Sequence, residues 1–198
     1  MRDSAATRAR ILDQALVSFA SRGYGTTSLD ELASGLGLRK QTILHHFGTK
    51  EGLLDAVVDR SAHELVEALE QALAAAGPGF ARVEALVRAI FRLAARRPEL
   101  LGLLREVSRL GPPAATRLLA ALDPLVERAR AFLEEEMAAG RMRQHDARLL
   151  LLSAYSTVIG VATEVEVLRA VGVDPTARSL VRRRAELLGF LRSALVLD

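Results

Sequence analysis

The stretch TTSLDELASGLGLRKQTILHHFG, residues 26–48, makes the chain start a helix, stop it and start another within a few turns. Ser28 followed three residues later by Glu31 is a capping box, in which each residue satisfies an N–H group left over at a helix start. Leu29, Leu32, Ala33 and Leu36 then recur at helical spacing. Gly37 supplies the permissive backbone of a tight turn. Another short helix follows with Leu38, Ile43, Leu44 and Phe47 apolar, and Gly48-Thr49 ends it, with Thr49 placed to cap the next helix. Two short helices joined through a glycine turn form a helix-turn-helix, and its second helix is the one that enters a major groove. Ile11, Leu12, Ala15, Leu16, Phe19 and Ala20 mark an amphipathic helix before it, closed by Gly23 and Gly25.

From Lys50 onward the pattern changes to longer helices rich in Leu and Ala. They are expected over about 50–76, 80–96, 98–110, 115–140, 146–171 and 175–197, punctuated by Gly and Pro. Asp123-Pro124 and Asp174-Pro175 each place an Asp cap before a Pro at a helix start, and a bend is expected at the first of them. Aromatic residues make up only 4% of the chain, so strand-forming runs are scarce. The expected fold is all-α: a three-helix domain over residues 1–50 and a larger helical domain over 51–198, about nine helices in total.

Charge separates the same two parts. Residues 1–50 hold seven Lys/Arg against four Asp/Glu, an excess of +3 that equals the excess of the whole chain. Both lysines, Lys40 and Lys50, lie there. A basic N-terminal part favours a nucleic-acid partner. The chain has no cysteine, which removes disulfides, thiol chemistry and Cys-type zinc sites. The N-terminus lacks a signal-peptide core, because Arg8, Arg10 and Asp13 interrupt it. The longest apolar stretch, Leu149–Ala162, is shorter than the roughly 20 residues a membrane span needs. A cytoplasmic protein without a membrane partner is expected.

Residues Arg8 to Val57 resemble the tetracycline-repressor (TetR) family of bacterial transcription regulators. The resemblance rests on the Gly-Tyr-Gly-Thr-Thr-Ser element, on the Leu-Ala-x-x-Leu-Gly-Leu turn, and on the run TILHHFGTKEGLL, in the family's order and spacing. It implies a homodimer, each subunit with an N-terminal DNA-binding domain and a helical ligand-binding and dimerisation domain. A bound effector would change the separation of the two recognition helices. Arg39, Gln41, Leu44 and His46 depart from the residues usual in the family, so the operator sequence is individual to this chain.

Lys40, Gln41 and Thr42 open the third helix, whose first turn reaches base edges. Lys suits guanine O6/N7, Gln suits adenine N6/N7, and Thr offers a hydroxyl or a methyl. Arg39 is expected on phosphate or base, and Lys50 on phosphate at a helix N-terminus. Thr27 and Ser28 either cap the second helix or meet phosphate as well. Tyr24 either reaches the backbone or packs on the first helix. His45 and His46 are not metal ligands on this reading, since adjacent helical positions point about 100° apart. A general base also needs a nucleophile and an orienting acid, which this short helix lacks. Both histidines are expected at DNA, His46 in place of a phosphate-contacting aromatic, unless one merely packs beside Phe47. No catalytic residues, metal or cofactor are expected.

In the larger domain His63, Phe91, Ser108, Tyr155 and Thr163 are the candidate effector-lining residues. Hydroxyls in apolar helices more often return to their own preceding turn. Leu180, Leu187, Leu191 and Leu195, with the apolar Leu149–Ala162 helix, are the candidate seam of a two-fold four-helix interface. The function expected is a transcription regulator, a repressor released from a palindromic operator by a small, mostly apolar effector. The rivals are a constitutive DNA-binding protein without an effector and a helical small-molecule-binding protein that does not use DNA. An enclosed apolar cavity favours the effector-responsive regulator, and a filled core favours the constitutive DNA-binding rival.

Overall fold

The computed structural model describes residues 2–197, with side chains from Ser4 onward. Among these residues it is all-α, with ten helices and no named strand. They are α1 (Arg2–Arg22), α2 (Leu29–Leu36), α3 (Lys40–Phe47), α4 (Lys50–Ala74), α5 (Phe80–Arg96), α6 (Pro98–Leu110), α7 (Ala114–Ala138), α8 (Ala147–Thr163), α9 (Val165–Ala170) and α10 (Ala177–Leu195). A single antiparallel bridge joins Met142 to Val196.

The chain forms two compact units. The first runs to Leu65 and resumes over Glu99–Leu122; the second holds Val66–Pro98 and everything from Asp123 on. Helices α4 and α7 each begin in the first unit and end in the second. In the first, Ile11, Leu16 and Phe19 of α1, Leu32 of α2 and Ile43 of α3 are fully buried, as are Leu53 and Val57 of α4 and Leu100, Leu101 and Val107 of α6. Each helix therefore contributes one apolar stripe at 3- and 4-residue spacing. In the second unit, α5, α8 and α10 pack on one another around Phe91, Val158, Leu187 and Leu191. A smaller cluster joins Leu133, Met137, Met142 and Ala147.

Three expectations from the sequence are corrected. The helix expected over 146–171 breaks at Glu164, where φ −78° and ψ 77° leave the helical region, and gives α8 and α9; this makes ten helices rather than about nine. The last helix starts at Ala177, two residues after Pro175, because Thr176 and Ser179 form the capping box that nucleates it. At Pro124 no new helix begins; α7 runs through it, at an exposed position where water can serve the carbonyl that loses its donor.

The candidate two-fold seam also changes. Leu187, Leu191 and Leu195 belong to the core of the second unit. The large apolar residues α8 and α10 leave outward are Leu149, Leu152, Tyr155, Val181 and Phe190, each at least half exposed.

Candidate nucleic-acid interface

The turn between α2 and α3 is built as its sequence requires. Ser28 Oγ accepts the Glu31 N–H at 3.1 Å, and the Glu31 carboxylate accepts the Ser28 N–H at 3.3 Å. At the other end Gly37 adopts φ +67°, a left-handed conformation that costs a residue with a Cβ. Its N–H donates to the Ser34 carbonyl, and the Leu38 N–H donates to the Ala33 carbonyl at 2.8 Å. This closes α2 and turns the chain into α3. Two cations from α1 brace the pair: Arg10 donates to the last carbonyl of α2, Leu36, at 3.2 Å, and Arg8 lies 5.2 Å over the Phe47 ring.

Helix α3 buries Ile43 completely and turns Arg39, Gln41 and His45 outward. Gln41 and His45 are one helical turn apart and share a face. Thr42 and His46 flank it, half-buried. The helix contains no acidic residue. The side chains of Arg39 and Gln41 make no hydrogen bond or ion pair among the described residues. The His45 and His46 rings stand edge to face at 5.7 Å, and His46 tilts toward Phe47 at 6.0 Å. Lys40 is different: its ammonium pairs with Asp30 of α2 at 2.8 Å. Both partners are well exposed, so the pair contributes at most about 1 kcal/mol and yields readily to a phosphate or a base.

Thr27 does not join this face. It is 1% exposed, and its hydroxyl donates to the Gly23 carbonyl at 2.9 Å. Its role is to hold the turn before α2, whereas Ser28 stands half-buried at the helix start. Which of the adjacent Thr26, Thr27 and Ser28 turns inward follows from how the α1–α2 turn packs, a signal no local pattern carries.

At the start of α4, Thr49 Oγ1 accepts the Gly52 N–H at 3.0 Å, the cap the sequence implies. The Lys50 ammonium lies 4.3 Å over the Tyr24 ring, a cation–π contact. Tyr24 packs edge-on against Phe19 at 5.3 Å, and its hydroxyl donates to Glu51 at 3.2 Å. Burial, then the charge and hydrogen bond of Glu51, push the Tyr24 phenol up to about 12, so it stays a donor. The ring therefore packs on α1, one of the two readings open in the sequence, and in addition supports a cation.

One residue of this site comes from far along the chain. Glu106 of α6 is 9% exposed and accepts the Tyr24 N–H at 2.7 Å across 82 residues. Arg109 grips the same carboxylate at 2.9 and 2.8 Å. Those bonds, and then the Tyr24 amide, hold the Glu106 carboxyl below the usual range against its burial.

The candidate effector residues do not converge. Phe91 sits in the α5–α8–α10 core. Tyr155 is half exposed. Ser108 and Thr163 donate to the carbonyls four residues back, Leu104 at 2.9 Å and Ile159 at 2.7 Å. His63 is exposed and belongs, with Ser108, to the first unit. Two hollows of the second unit are open grooves rather than enclosed cavities. One, about 340 Å³, lies between α4 and α5 and is lined by alanines with Gln71, Arg92, Arg96 and Arg97. The other, about 410 Å³, lies between α8 and α10 and includes Leu149 and Phe190. None of the five candidates lines either groove. Among the described residues no three His, Asp or Glu side chains gather as a metal site, and no helix is long and apolar enough to cross a membrane.

Residues 11–57 match a family described as bacterial regulatory proteins, tetR family. Over 84 residues the chain is 34% identical to the HTH-type transcriptional activator FasR of Mycolicibacterium smegmatis, covering 42% of this chain and 38% of that protein. Over 80 residues it is 30% identical to the HTH-type transcriptional repressor KstR2 of Rhodococcus jostii, covering 40% and 39%. These matches thus span well under half the length of the curated relatives. A solved TetR transcriptional regulator from Chloroflexus aurantiacus is similar over 100% of both chains, with a TM-score of 0.78 and 25% identity.

Proposed function

We propose that this chain, a member of the tetR family of bacterial regulatory proteins, is a homodimeric regulator that binds operator DNA through α3 and releases it when a small, mostly apolar effector binds. The observation that carries the DNA reading is the outward face of α3. Arg39, Gln41 and His45 project from a helix with no acid, fixed in angle by the Gly37 turn and anchored by buried Ile43. A helix so presented can lay its first turns in a major groove.

On this reading Gln41 reads a base edge, with Lys40 and Thr42 beside it, once Lys40 exchanges Asp30 for DNA. Arg39, His45, His46, Ser28 and Lys50 meet the backbone or flank the bases, while Thr27 supports the turn beneath them. Phosphate contacts set register and base contacts set preference. Two recognition helices on a two-fold dimer call for a roughly palindromic operator, with half-sites about 34–36 Å apart or a longer multiple. One curated relative is named an activator and another a repressor. Repression is the simpler consequence of an operator occupied only without effector. Effector and DNA stabilise different separations of the two heads, so each weakens the other. The effector part follows from the family resemblance alone, since the two hollows of the second unit are open grooves. Work on DNA sets the protein in the cytoplasm.

Two substitutions test the division of labour, once an operator is found by a gel-shift screen of the gene's own upstream region. Lys50→Ala should weaken binding to every sequence and lower the salt slope by about one unit. Gln41→Ala should relax preference at one base pair, by about 1–3 kcal/mol, and leave the salt slope alone. If no sequence gives saturable, competitor-resistant binding, or if the two variants behave alike, the reading fails.

A further inference from the structure

We infer that Glu106 is a positioning residue for DNA binding, acting through Tyr24 to set where the Lys50 ammonium stands. The inference rests on the DNA reading of Lys50 given above.

Tyr24 follows α1 and precedes α2, so its N–H has no helical partner. Glu106 supplies one at 2.7 Å. A part-buried N–H left without an acceptor is costly, so the Glu106 oxygen fixes where the turn lies. The approach is close on both sides. Gly23 has φ +91°, and a Cβ there would lie 3.3 Å from Glu106 Oε1. Gly102, one turn earlier on α6, lets that helix meet α1, since a Cβ there would lie 3.1 Å from the Ala20 side chain. Arg109 holds the carboxylate from its outer side, so the carboxylate does not swing away from Tyr24.

The far side of Tyr24 faces the proposed DNA contact. Its ring carries the Lys50 ammonium at 4.3 Å, and its hydroxyl ties Glu51 at 3.2 Å. Displacing the backbone of Tyr24 therefore displaces the platform under Lys50. Glu106 would not meet DNA itself; it is one hydrogen bond and one ring away from a residue that does.

A double-mutant cycle tests this, with wild-type binding to an operator fragment establishing first that the DNA reading stands. Glu106→Leu removes the acceptor while keeping a side chain of similar size. It should weaken DNA binding about tenfold in the wild-type background and much less in a Lys50→Ala background. Glu106→Gln retains an oxygen that can accept the Tyr24 N–H and should bind within about twofold of wild type. Because Glu106→Leu could act by loosening the fold, the ring-current shift of the Lys50 side chain is read by NMR in free protein. It should be present in wild type and in Glu106→Gln, and reduced in Glu106→Leu. Equal losses from Glu106→Leu with and without Lys50, or an unchanged Lys50 shift, would overturn the role while leaving the DNA reading intact.

Discussion

Gly52→Ala is expected to reduce operator binding toward the non-specific level, about 10³-fold or more, and to lower the melting temperature. Gly52 lies in the first turn of α4, and its N–H is held by Thr49. A Cβ built there would overlap the carbonyl oxygen of Phe47, at the end of α3. The obstructing atom is backbone, so no rotamer change relieves the clash. Alanine favours a helix over glycine by about 0.5–1 kcal/mol, but crowding a packed site costs about 1–3 kcal/mol, so the net effect is destabilising. The strain is relieved by moving the last turn of α3 off α4, which carries His45 and His46 with it and tilts the rest of this eight-residue helix, Gln41 included. Stability should thus fall modestly and binding severely. Gly35→Ala is the control for stability: it sits in α2 with nothing within 4 Å of the added methyl, and should melt at or slightly above wild type. A Gly52→Ala protein with unchanged melting and operator affinity would show that α3 and α4 are not held at this close approach.

Where local chemistry starts or stops a helix, the sequence was legible. The Ser28–Glu31 box, the Gly37 turn and the Thr49 cap all form as read, and the helix expected from about residue 146 starts there, with Asp146 accepting from the Arg148 and Leu149 N–H groups. The break at Glu164 was not legible, because ATEVEVLRA contains neither glycine nor proline, and its one usual cap residue, Thr163, gives its hydroxyl to the Ile159 carbonyl instead. Thr27 and Ser28 show the same limit at one residue's resolution. Both are good caps, but tertiary packing draws Thr27 inward to Gly23 and leaves Ser28 as the cap. Pairings between distant elements were least visible. Lys40 with Asp30 joins two polar faces, and Glu106 with Tyr24 spans 82 residues, so no periodicity announces either. A lone acid inside LLGLLREVSRL was the one hint that α6 has a polar obligation. The leucine repeat of α10 misled for a related reason. Spacing shows that one face is apolar but not which neighbour covers it, and here α5 and α8 of the same chain do.

Leu152→Asp combined with Phe190→Asp is expected to convert a dimer into a folded monomer and to cut operator affinity to that of a single half-site. The proposed interface is the outer face of α8 and α10. On α8, Leu149 is 63% exposed, Leu152 60% and Tyr155 50%, at three-residue steps along one side, while Val158 and Ile159 on the other side are buried. On α10, Phe190 is 61% exposed and borders the groove of about 410 Å³ that Leu149 also lines. Such a run of large apolar side chains is a liability in a monomer and an asset against its own two-fold copy. Burying one of these side chains contributes about 1.5–3 kcal/mol. Two-fold symmetry doubles each loss, so removing two of them forfeits about 6 kcal/mol or more, roughly four orders of magnitude in the dimer dissociation constant. The new carboxylates add like-charge repulsion across the axis. Neither substitution removes a core contact, so helicity and melting of the monomeric unit should persist. Light scattering behind size exclusion should then report about twice the chain mass for wild type and the chain mass for the variant. A variant that stayed dimeric would move the two-fold interface off α8 and α10, and a monomeric wild type would remove the basis for a palindromic operator.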